Sequence, residues 1–190
     1  MFMLSAIPIG IVLGLLARGR LEGLATLRLR WAWLAVAGLL IQVVLFSQAG
    51  NELVGDAAPA IYVGSTLAVF VAVVRNLRIP GMPLVALGSL SNLVAISANG
   101  GFMPASAEAL TAAGLDGPGE HTNSVVLENP AFELLTDTFA IPGSLPLANV
   151  FSVGDVLLGI GIVAVIVAAM RRRVPAEGAA RPADVAPAEG

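Results

Sequence analysis

Two aspartates, Asp137 and Asp155, stand eighteen residues apart in the stretch LTDTFAIPGSLPLANVFSVGDVLLGI, Leu135 to Ile160. Carboxylates brought together can divide acid and base duties, one protonated and one ionised. Asp155 lies at the mouth of a long apolar run, where an ionisable group is costly and function is the default hypothesis. A plainer role is open to it as well. Ser152-Val153-Gly154-Asp155 has the S-x-x-D pattern in which a serine caps a helix and the carboxylate reaches back to the cap. Asp137 has its own plain reading, as a solvated loop aspartate, and His121, the single histidine, sits among turn residues.

Composition says what must position these groups. The chain has 190 residues, 57% hydrophobic and 12% charged, with a mean hydropathy of +0.88, whereas soluble domains carry roughly 25% charged residues. An integral membrane protein is expected. Cysteine is absent, which excludes disulfides, thiolate metal sites and a cysteine nucleophile. With one histidine besides, no metal and no cofactor are expected. All ten basic residues are arginine.

The expected fold class is all-α, a polytopic bundle of five transmembrane helices at about 2–17, 31–48, 57–74, 79–98 and 153–170, with an outer segment at 99–152 and a disordered cytoplasmic tail at 174–190. The first run is followed by Arg18 and Arg20 rather than preceded by positive charge, so it reads as a retained span and not a signal peptide. Gly10 and Gly14 form a G-x-x-x-G pair suited to close helix approach. Trp31 and Trp33 open the second span as belt residues, and Gln42 within it needs a partner on another helix. Residues 51–56 read as an acidic turn. Pro59 stands in the first turn of the third span and Pro80 and Pro83 open the fourth, where a missing N–H costs nothing. Asn92, in the small-residue run from Gly88 to Val94, must point inward.

Arginine sets the orientation. With five spans, all ten arginines fall on one face, which the positive-inside rule makes cytoplasmic; the N-terminus is then outside and the C-terminus inside. Nine of the thirteen acidic residues fall on the outer side. The segment between the fourth and fifth spans exceeds the usual loop length. It opens with a glycine turn, Asn99 to Pro104, with Phe102 and Met103 expected at the interface. Ser106 is expected to cap a short helix that stops at Gly114, and residues 115–124 read as exposed turns. Asn129-Pro130 reads as the start of an amphipathic helix reaching Phe139, with Phe132, Leu135 and Phe139 on its apolar face and Asp137 in its last turn, where the macrodipole disfavours it.

Two resemblances attach to these residues. The five-span pattern, with NGGFMP after the fourth span and NVFSVGD opening the fifth, resembles an uncharacterised domain-of-unknown-function family of small bacterial membrane proteins. The part from Gly88 to Gly161 more remotely resembles the last two spans of lipoprotein signal peptidase, signal peptidase II, which carries G-A-L-G-N-L-I-D, then V-V-D-F, then F-N-x-A-D. The matching pieces here are Gly88 to Ala95, Leu135 to Phe139 and Phe151 to Asp155. Ala95 stands where that family has an aspartate, Ser152 where it has an asparagine, and an insertion precedes Asp137.

That resemblance implies a bacterial inner-membrane hydrolase in which Asp137 and Asp155 share one proton. Asp155 would activate water and Asp137 would protonate the scissile carbonyl oxygen, with Asn92, Asn99, Asn149 and Ser152 contacting a lipid-anchored or membrane substrate. A non-enzymatic reading stands beside it: a lipid-binding protein, or an accessory subunit of a larger membrane complex, in which the same residues cap and join helices. No partner other than the bilayer, such a substrate or such a complex is expected; the arginine clusters give nucleic-acid binding no support.

Overall fold

The computed structural model describes residues 2–115 and 124–172, and it is mostly helical. Helices α1 (Phe2–Leu16), α2 (Glu22–Ala25), α3 (Ala32–Leu45), α4 (Gln48–Val54), α5 (Ala58–Val74), α6 (Met82–Ala98), α7 (Ala107–Ala112) and α8 (Val153–Met170) are joined by four very short strands. These are β1 (Met103–Pro104), β2 (Ser124–Val125), β3 (Phe139–Ile141) and β4 (Asn149–Phe151); β1 pairs with β2 in parallel and β3 with β4 antiparallel. Two helical stretches are long and apolar enough to cross a membrane, Glu52–Val74 and Val153–Met170; Ser5–Leu16, Ala32–Leu45 and Met82–Ala98 are shorter apolar helices.

The five apolar helices stand in a row in the spatial order α1, α8, α6, α5, α3. Glycine decides how closely they approach. Gly10 lies against Ile166 and Gly14 against Met170, so α1 runs parallel to α8. Gly81 meets Gly161, and Gly88 meets Gly154, so α6 and α8 are antiparallel with their backbones nearly touching: a Cβ on Gly81 would lie 2.6 Å from the Gly161 carbonyl oxygen. Gly38 lies against Ser65 and Val69, and Gln42 Nε2 donates to Ser65 Oγ (3.3 Å) and Thr66 Oγ1 (3.2 Å), which pins α3 against α5. The amide thus finds the cross-helix partners that an apolar surround demands.

Apolar clusters fill the seams. Leu45, Tyr62, Ala95, Ile96 and Met103 tie α3, α5 and α6 together, with Phe46 edge-on to Tyr62 (ring centroids 4.9 Å apart). Met82, Val85, Leu158 and Val165 fill the α6–α8 seam. The segment after α6 has a small core of its own, Ala105, Ala109, Ala113 and Val150. Large apolar side chains are also exposed along the two end helices, including Val12 and Leu16 on α1 and Val36, Leu40 and Val43 on α3. By chain direction, all eight described arginines lie at one end of the row.

Several elements form where their residues direct. Ser106 accepts from Ala109 N to cap α7, and Gly114 beyond it is left-handed, with φ 67°. Gly100 and Gly101 turn the chain out of α6 with φ 71° and 87°. Others differ from the sequence reading. Residues 51–56 are not a turn: Gln48–Val54 is helical and Gly55–Ala57 continues as a 3-10 turn. The linker after α1 contains α2, and the second apolar helix ends at Leu45. Met103 is buried in the core, not at the surface, while Phe102 is exposed.

The expected amphipathic helix from Pro130 to Phe139 does not form. Phe132 is left-handed (φ 53°), only Glu133–Leu135 makes a 3-10 turn, and Thr136 is already extended. The main chain there has other partners. Asn99 clamps Ala131 from both sides, accepting from its N (2.8 Å) and donating to its O (2.9 Å). Phe139 to Ile141 pair with Asn149 to Phe151, and Phe139 stacks on Phe151 at 5.6 Å. Asp137 therefore sits in extended chain, bridged to Ala105, and not in a last helical turn. His121 and the tail at 174–190 lie outside the described residues.

Gly161→Ala is expected to destabilise the protein by about 1–3 kcal/mol through overpacking, because its new Cβ would lie 2.7 Å from Val85 N. Gly64→Ala, with nothing within 4 Å, is expected to be neutral or stabilising by up to about 1 kcal/mol. Unfolding of both variants in detergent checks the contrast.

Candidate functional site

Helix α8 begins with a reciprocal cap. Ser152 is extended, fully buried, and accepts from Asp155 N through its Oγ (3.1 Å), while Ser152 N donates to Asp155 Oδ2 (3.1 Å). The S-x-x-D pattern is thus realised as a capping box. Asn92 on α6 joins it: its Nδ2 donates to Asp155 Oδ1 (2.8 Å), and its Oδ1 accepts from Ser152 Oγ (3.1 Å). Asn92, Asp155 and Ser152 form a closed ring: the Asn92 side chain bonds the side chains of the other two, and Ser152 and Asp155 each bond the other's backbone N–H. Both carboxylate oxygens of Asp155 are held from protein donors.

The ring depends on glycine. A Cβ on Gly154 would run into Asn92 Oδ1, and one on Gly88, a turn below Asn92, would run into the Gly154 carbonyl oxygen. Only this close backbone approach lets a side chain as short as asparagine reach across to the next helix. The sequence signal for it is the seven-residue spacing of Gly81 and Gly88 against that of Gly154 and Gly161.

Asp137 is positioned by main chain. Its N donates to Pro104 O (2.9 Å) and its O accepts from Ser106 N (3.1 Å), so extended chain from β1 to α7 grips it on one side. Its side chain is buried, with 7% of the residue exposed, and Thr136 before it is buried at 1%. Thr136 Oγ1 donates to Glu133 O (2.7 Å), which closes the 3-10 turn. That turn rests on both α6 and α8, and Leu135 within it packs on the cluster around Ile96. Asp137 follows directly on that turn.

The other expected substrate contacts are placed differently. Asn99 is occupied as a clamp, its Nδ2 donating to Ala95 O (2.7 Å) as well as to Ala131 O. Asn149 lies in β4, opposite Ile141. Among the described residues, no group of three or more His, Asp or Glu could hold a metal ion.

The geometry at residues 92–155 falls inside a recognised sequence family: the model of DUF5317, a family of unknown function, matches residues 26–167. The chain belongs to DUF5317. The matched span includes α3, α5, α6, the segment between α6 and α8 and nearly all of α8, with Asn92, Asp137, Ser152 and Asp155 among its residues, whereas α1 precedes it. No curated protein and no solved structure matches this DUF5317 chain.

Asn92→Ala is expected to cost about 1–3 kcal/mol, since it strips one bond each from a carboxylate and a buried hydroxyl. Gly154→Ala, which pushes Asn92 aside without removing it, is expected to destabilise in the same direction. Combining the two should cost less than the sum, because they break the same ring. A double-mutant cycle on detergent unfolding checks this.

Proposed function

We propose that this DUF5317 protein is a multi-pass protein of the bacterial inner membrane. Five helices cross the bilayer, the N-terminus lies outside, and the outer end of the α6–α8 pair carries an aspartyl hydrolase site. Asp137 and Asp155 are its acid and base, and a lipid-anchored or membrane-embedded peptide is its substrate. The observation that supports this reading is that Asp137, buried and gripped by extended chain, follows the 3-10 turn resting on α6 and α8, while Asp155 opens α8 with its carboxylate held by Asn92 and Ser152. Exposed apolar side chains along α1 and α3 and the gathering of arginine at the opposite end support the membrane placement.

In this mechanism Asp155 is the base and Asp137 the acid. Asp155, aimed by the Asn92 amide and the Ser152 N–H, takes a proton from water. Asp137 donates its proton to the scissile carbonyl oxygen as the water oxygen attacks the carbonyl carbon. The proton then held by Asp155 passes to the leaving amine as the C–N bond breaks, and the hydroxyl on the former carbonyl carbon gives its proton back to Asp137, so both residues return to their starting states.

A second reading is favoured by the ring itself. Both oxygens of Asp155 already serve as cap and cross-helix acceptors, which is sufficient reason for the residue in a non-enzymatic lipid-binding or accessory subunit.

The test is turnover of a lipid-modified lipoprotein-precursor peptide by the full chain in proteoliposomes. Asp137→Asn and Asp155→Asn are each expected to slow cleavage by about 10²–10⁴-fold, with Asp137→Asn still inserting and melting as the parent does. No cleavage by the parent, or unchanged cleavage by Asp137→Asn, sinks the hydrolase and leaves the assembly reading.

A further inference from the structure

The parallel pairing of α1 and α8 brings two helix C-termini to one place. The chain leaving α1 folds over the end of α8: Arg20 N donates to Met170 O (2.8 Å), a Cβ on Gly19 would lie 2.8 Å from Met170 Cβ, and Gly23 packs against the Ala169 carbonyl. Arg18 and Arg20 from the α1 side therefore stand beside Arg171 and Arg172 at the α8 side. All four are exposed.

Arg18 holds an uncommon backbone for its residue type. It is left-handed, with φ 58°, just before Gly19, whose N donates to Gly14 O (2.8 Å). That conformation at a helix end is ordinarily given to glycine, and a strained residue of this kind points toward a functional demand. The one carboxylate at this end among the described residues is Glu22, on Arg20 Nε at 3.3 Å, with both side chains well exposed. A pair so open to water neutralises little. One arginine at each terminus would offset the two macrodipoles; four leave a concentrated positive site.

Directly along α1 from this site runs an apolar wall, with Val12, Leu15 and Leu16 each more than half exposed. A cationic cluster set at the end of an apolar wall is complementary to a molecule with a negative head and hydrocarbon chains. A free anion or a nucleic acid would make no use of the wall.

We propose that Arg18, Arg20, Arg171 and Arg172 bind the phosphate headgroup of an anionic phospholipid whose acyl chains lie along the outward face of α1. This rests on the reading of these helices as membrane spans. It is independent of whether the far end is a hydrolase.

The full chain, reconstituted with equal phosphatidylglycerol and phosphatidylcholine and then released into detergent, is to be examined by native mass spectrometry for the lipid it retains. Resistance to carbonate extraction is read on the same membranes. The parent is expected to be extraction-resistant and to retain phosphatidylglycerol over phosphatidylcholine by at least ~10-fold. Replacing the four arginines by glutamine should bring that ratio to about one, replacing them by lysine should keep most of it, and Arg75→Gln with Arg78→Gln should leave it unchanged. If the fourfold glutamine variant does not insert, Arg18→Gln with Arg20→Gln, expected to lose at least half of the preference, takes its place. An extraction-sensitive parent overturns the membrane reading. An extraction-resistant parent without lipid preference, or one whose preference survives the glutamine variant or falls equally with Arg75→Gln and Arg78→Gln, overturns this site alone.

Discussion

The close approach of α6 and α8 is the constraint on which the rest of the structure hangs. Four glycines at matching spacing, Gly154 and Gly161 on α8 against Gly88 on α6 and Gly81 just before it, remove the side chains that would hold the backbones apart. In an apolar surround, helix association draws on packing and on interhelical hydrogen bonds, because burial from water drives little there. Both are concentrated in this seam. The glycines supply packing distance, and at one end the part-buried Asn92–Asp155–Ser152 ring supplies bonds whose every member is satisfied, the condition under which a polar network fixes one geometry. The segment between α6 and α8 is then built on that fixed end, with its 3-10 turn lying across both helices.

Much of this was legible in the sequence wherever a local rule suffices. Ser152 and Asp155 are three residues apart, which is all a capping box requires, and Ser106 and Gly114 bracket α7 by the same kind of short-range chemistry. Pro59 and Pro83 fall in first turns, where the lost N–H is harmless. Gln42 announced a partner simply by being an amide in an apolar run. Membership of a family of unknown function was also foreseeable from the pattern of runs.

What was hidden is what distant residues decide. Pro130 to Phe139 has a passable helical face, but Asn99, some thirty residues earlier, takes the main chain of Ala131, and β4 takes that of Phe139 to Ile141. A window that reads only neighbours has no access to either. The same holds for the candidate site. The partnership of Asn92 with Asp155 needs the antiparallel register of two helices separated by the whole segment between them, and the burial of Asp137 needs the extended chain from Pro104 to Ser106. The acidic residues near Glu52 suggest a turn by their polarity, but helical backbone continues through them.

The parallel pairing of α1 with α8 bears on how the protein is made. Of the five apolar helices, α1 leaves the ribosome earliest and α8 last, so the contacts of Gly10 with Ile166 and Gly14 with Met170 are closed only when synthesis of the others is complete. Contacts so far apart in the chain form late and slowly, and through that interval the glycine face of α1 lacks its partner. Assembly must therefore proceed from α3, α5 and α6, each able to pair with a near neighbour in sequence, and finish with the arrival of α8, which locks both of its sides in one step.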